Sequence, residues 1–447
     1  MNKSQLRAAA AAVVAAGVAL PVLIAGPASS AARPSGSSGS SSSSATTVYV
    51  VEVNGTEATE EAVTQRAHEL IAAYGGELRR VYYAASQAFS VSLTDAQLEG
   101  YYSDTSVDSI TSDRVYRVAG RITGKHRSGE VVAGRRAAAE EAGLSGVQLS
   151  PPSWGLDRID QRDLPLDDVY TFPRSGAGVD AYIVDTGVRV GHLEFRGGRA
   201  HGAYDAIKQG PGGDSDCNGH GTASAATAAG RFTGVAKGAT VQSVRAFGCD
   251  GTGTLEHIMS AVDWITAHAD GPSVVNLGFS GEPGSVLDLQ LYQMTNKGIA
   301  YTAAAGNGDA SRNGVESCET TPARQTTAIT VAATGRDDKR PAWSNYGYCV
   351  HLFAPGTDIV TAGARGELAY VRLSGTSAAT AEVTGAAAMY LAAHPDTTPV
   401  ELDDALIATS TKDHVGDAGP DSRNRLLYTG ASDTTGSTGT TGGEDRR

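Results

Sequence analysis

Apolar residues in this chain follow two different rhythms, and the change between them divides it. From Tyr49 to Val118 the pattern is that of a small α+β unit. A strand is expected over Tyr49–Val53, then a helix over Thr59–Tyr74 with Val63, Ala67, Leu70 and Ile71 on one face and Gly75-Gly76 to stop it. A strand pair from Val81 to Leu93, a helix capped by Thr94-Asp95 and a last strand from Ser106 to Val118 complete a β-α-β-β-α-β order. Beyond Trp154 the strands are continuous apolar runs: Ala181–Val184, Thr240–Phe247, Ser273–Leu277, Ile299–Ala304 and Ala328–Ala332. Such runs belong to strands buried on both faces, so they predict an α/β fold with a mostly parallel sheet and helices on both faces. Two of its helices are readable. One spans Thr254–Ala267 with Leu255, Ile258, Met259, Val262 and Ile265 inward; the other spans Ser377–Ala393 and ends at Pro395.

Stretches without either rhythm set the boundaries. Residues 1–32 carry Lys3 and Arg7, an alanine-rich apolar run from Ala8 to Ile24, and small residues from Ala28 to Ala32. They are expected to be a secretory signal cleaved near Ser30–Ala32 rather than an anchor. Residues 33–47 form a serine-rich linker and 48–118 the small unit, which at about seventy residues would be marginal alone and is expected to lean on a partner surface. Residues 119–150 hold Arg121, Lys125, His126, Arg127, Arg135 and Arg136 among small residues, and are expected to be a linker open to maturation cleavage, with a short helix over Arg136–Ala142. The large domain takes 151–430, and the Thr-, Ser- and Gly-rich residues 431–447 an unordered tail.

Composition narrows the partners. A net charge of −13 over 447 residues and a pI near 5.2 argue against nucleic acid. No segment after the leader is apolar and long enough to span a bilayer, so no membrane association is expected once the signal is removed, and the mature chain is expected outside the cell as a monomer. Cys217, Cys249, Cys318 and Cys349 are an even set in an exported chain, which predicts two disulfides with three pairings open. Their spacing matches no zinc site, and no His-Glu-x-x-His pair occurs.

Three segments carry chemistry in the order acid, imidazole, hydroxyl. Asp185 closes an apolar strand, at the carboxyl edge of the sheet where open α/β folds place ligands. His220 lies between Gly219 and Gly221 at the start of a small-residue helix. Ser377 follows Gly375-Thr376 and opens an alanine-rich helix, so its own N–H and the positive helix end point at any oxyanion beside it. A serine hydroxyl needs an imidazole to take its proton, and the imidazole needs a carboxylate to fix its tautomer. Asn307, just after a buried strand, can offer a second oxyanion donor.

Taken together the chain resembles the subtilisin-like serine peptidases, and most closely the secreted proteinase K and aqualysin branch. The resemblance covers Trp154 to Tyr428. It rests on Trp154-Gly155-Leu156-Asp157-Arg158-Ile159-Asp160-Gln161, the Asp185 segment, Asp216-Cys217-Asn218-Gly219-His220-Gly221-Thr222, Ala304–Asn307, Ser344-Asn345-Tyr346-Gly347, Phe353-Ala354-Pro355-Gly356-Thr357 and Ser374-Gly375-Thr376-Ser377. It implies an Asp185–His220–Ser377 triad with Asn307 at the oxyanion, disulfides Cys217–Cys249 and Cys318–Cys349, and protein or peptide substrates. It also implies that Tyr49–Val118 is a propeptide that assists folding and inhibits the enzyme as an intramolecular partner. Asp250–Gly253, with Gly251 and Gly253, would be one edge pairing with substrate, and Gly278-Phe279-Ser280-Gly281 a second edge, with Gly278 and Ser280 at the pocket for the residue before the cut. No cofactor is required by this chemistry. For a structural calcium, Gly335 stands where some relatives carry a ligand aspartate, with Asp337 and Asp338 nearby.

The departures cluster around the triad. The family pattern His-Gly-Thr-His is His220-Gly221-Thr222-Ala223 here, and Ser-Met-Ala-Thr-Pro-His is Ser377-Ala378-Ala379-Thr380-Ala381-Glu382. The four groups of the chemistry are retained while their supports differ, and groups that support a triad set its geometry. Two readings follow: a secreted serine endopeptidase made as a zymogen, or a degenerate homologue that binds peptides as a scaffold or inhibitor without turnover.

Overall fold

The computed structural model describes residues 45–126 and 146–430; the leader, most of the serine-rich linker, the helix expected over 136–142 and the tail 431–447 lie outside the described residues. The first elements are β1 (Thr47–Val53), α1 (Glu60–Tyr74), β2 (Glu77–Tyr82), β3 (Ala88–Leu93), α2 (Asp95–Ser103) and β4 (Val107–Ser112). Thr59 caps α1 by accepting the Ala62 N–H, and Thr94 and Gln97 form a reciprocal capping box on α2. The strands form an antiparallel sheet in the order β2-β3-β1-β4. Val51, Phe89, Val91, Leu93, Ala67, Leu70 and Tyr101 fill its core against the helices.

Two strands then leave this sheet, β5 (Val115–Val118) and β6 (Arg121–His126). The single strand expected over Ser106–Val118 is therefore two. Asp113 N–H still donates to Val48 O (2.9 Å), whereas Arg114 O accepts from Leu255 N–H (2.8 Å), so the chain changes partners within two residues. The 119–150 stretch, expected as a linker, is likewise ordered at both described ends: β6 is paired into a sheet, and β7 (Gly146–Leu149) pairs antiparallel with a strand at Val169–Phe172. In both places a neighbouring edge supplies the pairing that the sequence pattern does not announce.

The remaining elements are α3 (Trp154–Ile159), β8 (Val169–Phe172), β9 (Asp180–Asp185), β10 (Ala200–Asp205), α4 (His220–Ala229), β11 (Thr240–Arg245), β12 (Thr252–Thr254), α5 (Leu255–His268), β13 (Ser273–Leu277), β14 (Phe279–Ser280), α6 (Ser285–Asn296), β15 (Ala300–Ala304) and β16 (Ile329–Thr334). The chain continues through β17 (Leu352–Pro355), β18 (Ile359–Ala362), β19 (Tyr370–Ser374), α7 (Thr376–Ala393), α8 (Pro399–Thr409), β20 (Thr411–Lys412) and β21 (Arg425–Leu426). Nine strands form the central sheet in the order β10-β11-β9-β13-β15-β16-β17-β21-β20, parallel except for the β20 edge. Both faces are covered, which is why its strands read as unbroken apolar runs. Ile183, Val274 and Val331 pack on the alanine-rich faces of α4 and α7, while Tyr182, Val275, Leu277 and Tyr301 pack toward α5 and α6. Among the described residues no helix is long and apolar enough to cross a membrane.

The small sheet docks on α5. Val50, Tyr82, Ala85, Ala88 and Tyr116 share a core with Ile258, Met259, Val262 and Phe279. Polar groups fix the register: Glu256 accepts from Arg79 Nε (2.8 Å) and Nη2 (2.9 Å) and from Ser90 Oγ (2.7 Å). One turn-pair further along α5, Asp263 accepts the backbone N–H groups of Tyr83, Ala84 and Ala85 at 3.1, 2.8 and 2.9 Å.

Candidate active site

Asp185, His220 and Ser377 each stand at the end of an element on one edge of the central sheet. Asp185 is the last residue of β9, His220 the first of α4 and Ser377 the second of α7. Gly219, with φ at +106°, turns the chain into α4 in a backbone conformation that suits glycine. His220 Nδ1 lies 2.8 Å from both Oδ1 and Oδ2 of Asp185, and Nε2 lies 2.9 Å from Ser377 Oγ. All three residues are at most 2% exposed. This arrangement can move a proton from the hydroxyl to the imidazole while the carboxylate stabilises the resulting charge.

Asp216, quoted in the sequence motif but given no role there, locks the two loops together. Its Oδ1 accepts from Thr186 Oγ1 (2.9 Å), Asn218 N–H (3.0 Å) and Gly219 N–H (2.7 Å), and its Oδ2 from Thr222 N–H (2.9 Å) and Oγ1 (2.7 Å). Thr186 Oγ1 in turn accepts the Gly221 N–H at 3.0 Å. One carboxylate thereby ties the residue after Asp185 to both flanks of His220. Burial pushes its pKa up, against hydrogen bonds that lower it. The signal was available: an aspartate a few residues before a helix start is a common acceptor for free N–H groups.

The chain itself runs through this site. β5 lies between β12 and β14, antiparallel to both, with Tyr116 opposite Gly253, Arg117 opposite Thr252 and Ser280, and Val118 opposite Phe279. Val118 N–H donates to Gly251 O (3.1 Å) and Ala119 N–H to Gly278 O (2.8 Å). Ala119 O then accepts the Ser377 N–H at 2.9 Å. Gly120 follows so closely that a Cβ there would overlap Ser377 Oγ and lie 2.7 Å from His220 Nε2. Gly251, Gly253, Gly278 and Ser280 are thus all gathered along residues 116–119. Asn307 Oδ1 accepts from Thr376 N–H and Oγ1, both at 2.9 Å, which fixes the carboxamide, and Asn307 and Gly120 border one cleft of about 190 Å³.

Behind the nucleophile, Ala223 packs with Ala378, Ile359 and Leu373. Glu382 is buried on α7, and its carboxyl occupies the space left by Gly155, where a Cβ would stand 3.0 Å from Glu382 Cδ. Its Oε2 has no hydrogen-bond partner, and burial pushes its pKa well above the usual carboxylate range. The cysteines pair as Cys217–Cys249 and Cys318–Cys349. The first pair joins the His220 loop to the β12 approach, where Asn218 Nδ2 also donates to Cys249 O (2.9 Å). Asp338 is held by the fully buried Arg158 through two contacts of 2.7 and 3.0 Å, so its carboxylate is not open to a cation. Among the described residues no group of three or more His, Cys, Asp or Glu side chains could hold a metal ion.

Comparison with known proteins agrees with this geometry. The family model described as the Subtilase family matches residues 176–426. The chain is 41% identical over 356 residues to the extracellular serine proteinase of Thermus sp. (strain Rt41A), covering 79% of this chain and 78% of that protein. It is 35% identical over 369 residues to the alkaline serine exoprotease A of Vibrio alginolyticus, covering 83% of this chain and 63% of that protein. Among solved structures, a cold adapted subtilisin-like serine proteinase is similar with a TM-score of 0.59 at 42% identity, covering 62% of this chain and 98% of that one. The chain therefore belongs to the subtilase family and is a subtilisin-like serine endopeptidase.

Proposed function

We propose that the chain is a secreted, self-processing zymogen of the proteinase K and aqualysin branch that cuts its own Ala119–Gly120 bond and then other polypeptides, using Asp185, His220 and Ser377 with Asn307 at the oxyanion. In this reading His220 Nε2 takes the Ser377 Oγ proton as Oγ attacks the Ala119 carbonyl carbon. The oxyanion is held by Ser377 N–H and the Asn307 amide, and His220 then returns the proton to Gly120 N as the peptide bond breaks. Water activated by His220 releases the Ala119 carboxylate and regenerates Ser377. Residues 48–119 then act as the inhibitor, residues 151–430 as the peptidase domain. The leader-like residues 1–32, and a relative named as extracellular, support secretion.

One observation carries the reading: the Ala119 carbonyl accepts the Ser377 N–H at 2.9 Å while Gly120 lies against Ser377 Oγ and His220 Nε2. That donor faces the oxygen on which negative charge would develop as Ser377 Oγ attacks the Ala119 carbonyl carbon. Expression of the full chain tests this. The wild type is expected to yield a new amino terminus at Gly120, and Ser377→Ala to remain uncut; a folded wild type that stays whole, or starts elsewhere, overturns it. Asn307→Leu is expected to slow this cleavage by about 10²–10³, a range that itself comes from a subtilisin.

A further inference from the structure

Past the bond at Ser377 the chain does not leave the surface. Gly120 is followed by β6, which pairs antiparallel with β19: Arg121 opposite Ser374, Ile122 opposite Leu373, Gly124 opposite Arg372, Lys125 opposite Val371 and His126 opposite Tyr370. The register shifts between Arg372 and Leu373, leaving Thr123 as the extra residue of a bulge. Bulges re-aim a side chain. Here the Thr123 hydroxyl donates to Asp358 Oδ1 at 2.8 Å, with Arg372 O 3.4 Å away. Asp358 is itself fixed at the β18 approach, where its N–H donates to Ser374 Oγ (2.8 Å). On the other side of the strand Ile122 lies over Gly219, the residue before His220, where a Cβ would come within 3.0 Å of Ile122 Cδ1.

We infer that β19 is an extended docking edge for the polypeptide beyond the cut, reaching the seventh residue after the scissile bond, and that Asp358 selects a Thr or Ser hydroxyl at the fourth. The inference rests on the proposed cleavage at Ala119–Gly120, which sets the numbering. Direction and continuity support it. The same chain that lies between β12 and β14 before the bond lies on β19 after it, so any substrate held on the first pair of edges is delivered to the third running the same way. Main-chain pairing along an edge gives affinity with little sequence demand, and a fixed carboxylate adds discrimination at one position. Cleavage frees the amino end of β6, so an incoming substrate competes with Gly120–His126 for the same edge.

Three internally quenched peptides test this on the self-processed chain. One copies residues 116–121, the second residues 116–126, and the third is the second with Val in place of the Thr. Competition from β6 acts equally on the second and third peptides and cancels in their ratio; it works against the second relative to the first, so an excess of the second over the first is a lower bound on the worth of the edge. The second is expected to exceed the first in kcat/KM by about tenfold, and to exceed the third by about three- to tenfold, the worth of one hydrogen bond. In Asp358→Ala that Thr-to-Val ratio is expected to fall to about one, while Asp358→Asn, which keeps an acceptor oxygen, retains part of it. Equal rates for the long and short peptides overturn the extended edge, and a Thr-to-Val ratio unchanged in Asp358→Ala overturns the role of Asp358. If none of the peptides is cut, including the short one, the peptidase reading fails first.

Discussion

Glu382 occupies a position behind Ser377 where the family pattern has histidine, and it does so as a buried carboxyl with one oxygen unpaired. Burial disfavours its charged form, so its pKa in the folded chain lies well above its unfolded value. The folded state therefore holds a proton that the unfolded state releases. Stability from this residue is complete below the unfolded pKa and falls as pH rises toward the folded one. Glu382→Gln keeps the shape and removes the ionisation. The variant is expected to match the parent in melting temperature near pH ~4 and to exceed it increasingly toward pH ~9, each kcal/mol appearing as about 2–4 °C. A constant difference across that range would show that Glu382 does not titrate with folding. At this scale the sequence singled out His220 by the glycines on either side of it, and Asp185 and Ser377 by the motifs in which they stand. Asp216 carried only the local signal of an aspartate before a helix start; the rest of its role, accepting five donors, takes shape only where they converge in three dimensions.

At the scale of elements, α5 couples the two sheets. Burial of Glu256 would raise its pKa, but hydrogen bonds from Arg79 and Ser90 and the charge of Arg80 outweigh it and hold the pKa low. A depressed carboxylate stabilises the docked state above its unfolded pKa and loses that contribution as pH falls through the folded one. Glu256→Gln is expected to weaken the hold on residues 45–119 by about 1.5–3 kcal/mol, or about 10–100-fold in affinity, read as faster loss of that fragment from the cleaved complex on size exclusion. The strands of the central sheet were legible because burial on both faces leaves runs such as Ser273–Leu277 without polar interruption. β6 was not: Arg121, Thr123 and Lys125 have no buried pattern, and Gly124 disfavours strand by itself. What makes it a strand is the β19 edge, which lies more than two hundred residues away in sequence (register Tyr370 to His126). The break at Asp113–Arg114 was hidden for the related reason that the polar stretch Thr111–Arg114 carries no glycine or proline to mark where the pairing partner changes.

At the scale of the molecule, Ala119–Gly120 is already seated against Ser377, so the proposed cleavage would require no second copy of the chain. The first-order rate of appearance of the Gly120 terminus is expected to be independent of protein concentration during refolding. A rate that rises in proportion to concentration would point to cutting between molecules. Sequence could outline the small unit and the large domain but not their join, because the register that brings Ala119 to Ser377 is set by contacts with Gly251, Gly278 and α5 rather than by residues 119–126 themselves.

The separation of the three chemical groups along the chain has a consequence for quality control. His220 is 35 residues from Asp185 and 157 from Ser377, and only a completed central sheet brings the other two within 3 Å of its imidazole. A chain with a misplaced strand cannot assemble the groups that would cut it. The nick at Gly120 would then act as a certificate of correct folding, issued by each molecule to itself before it is allowed to act on anything else.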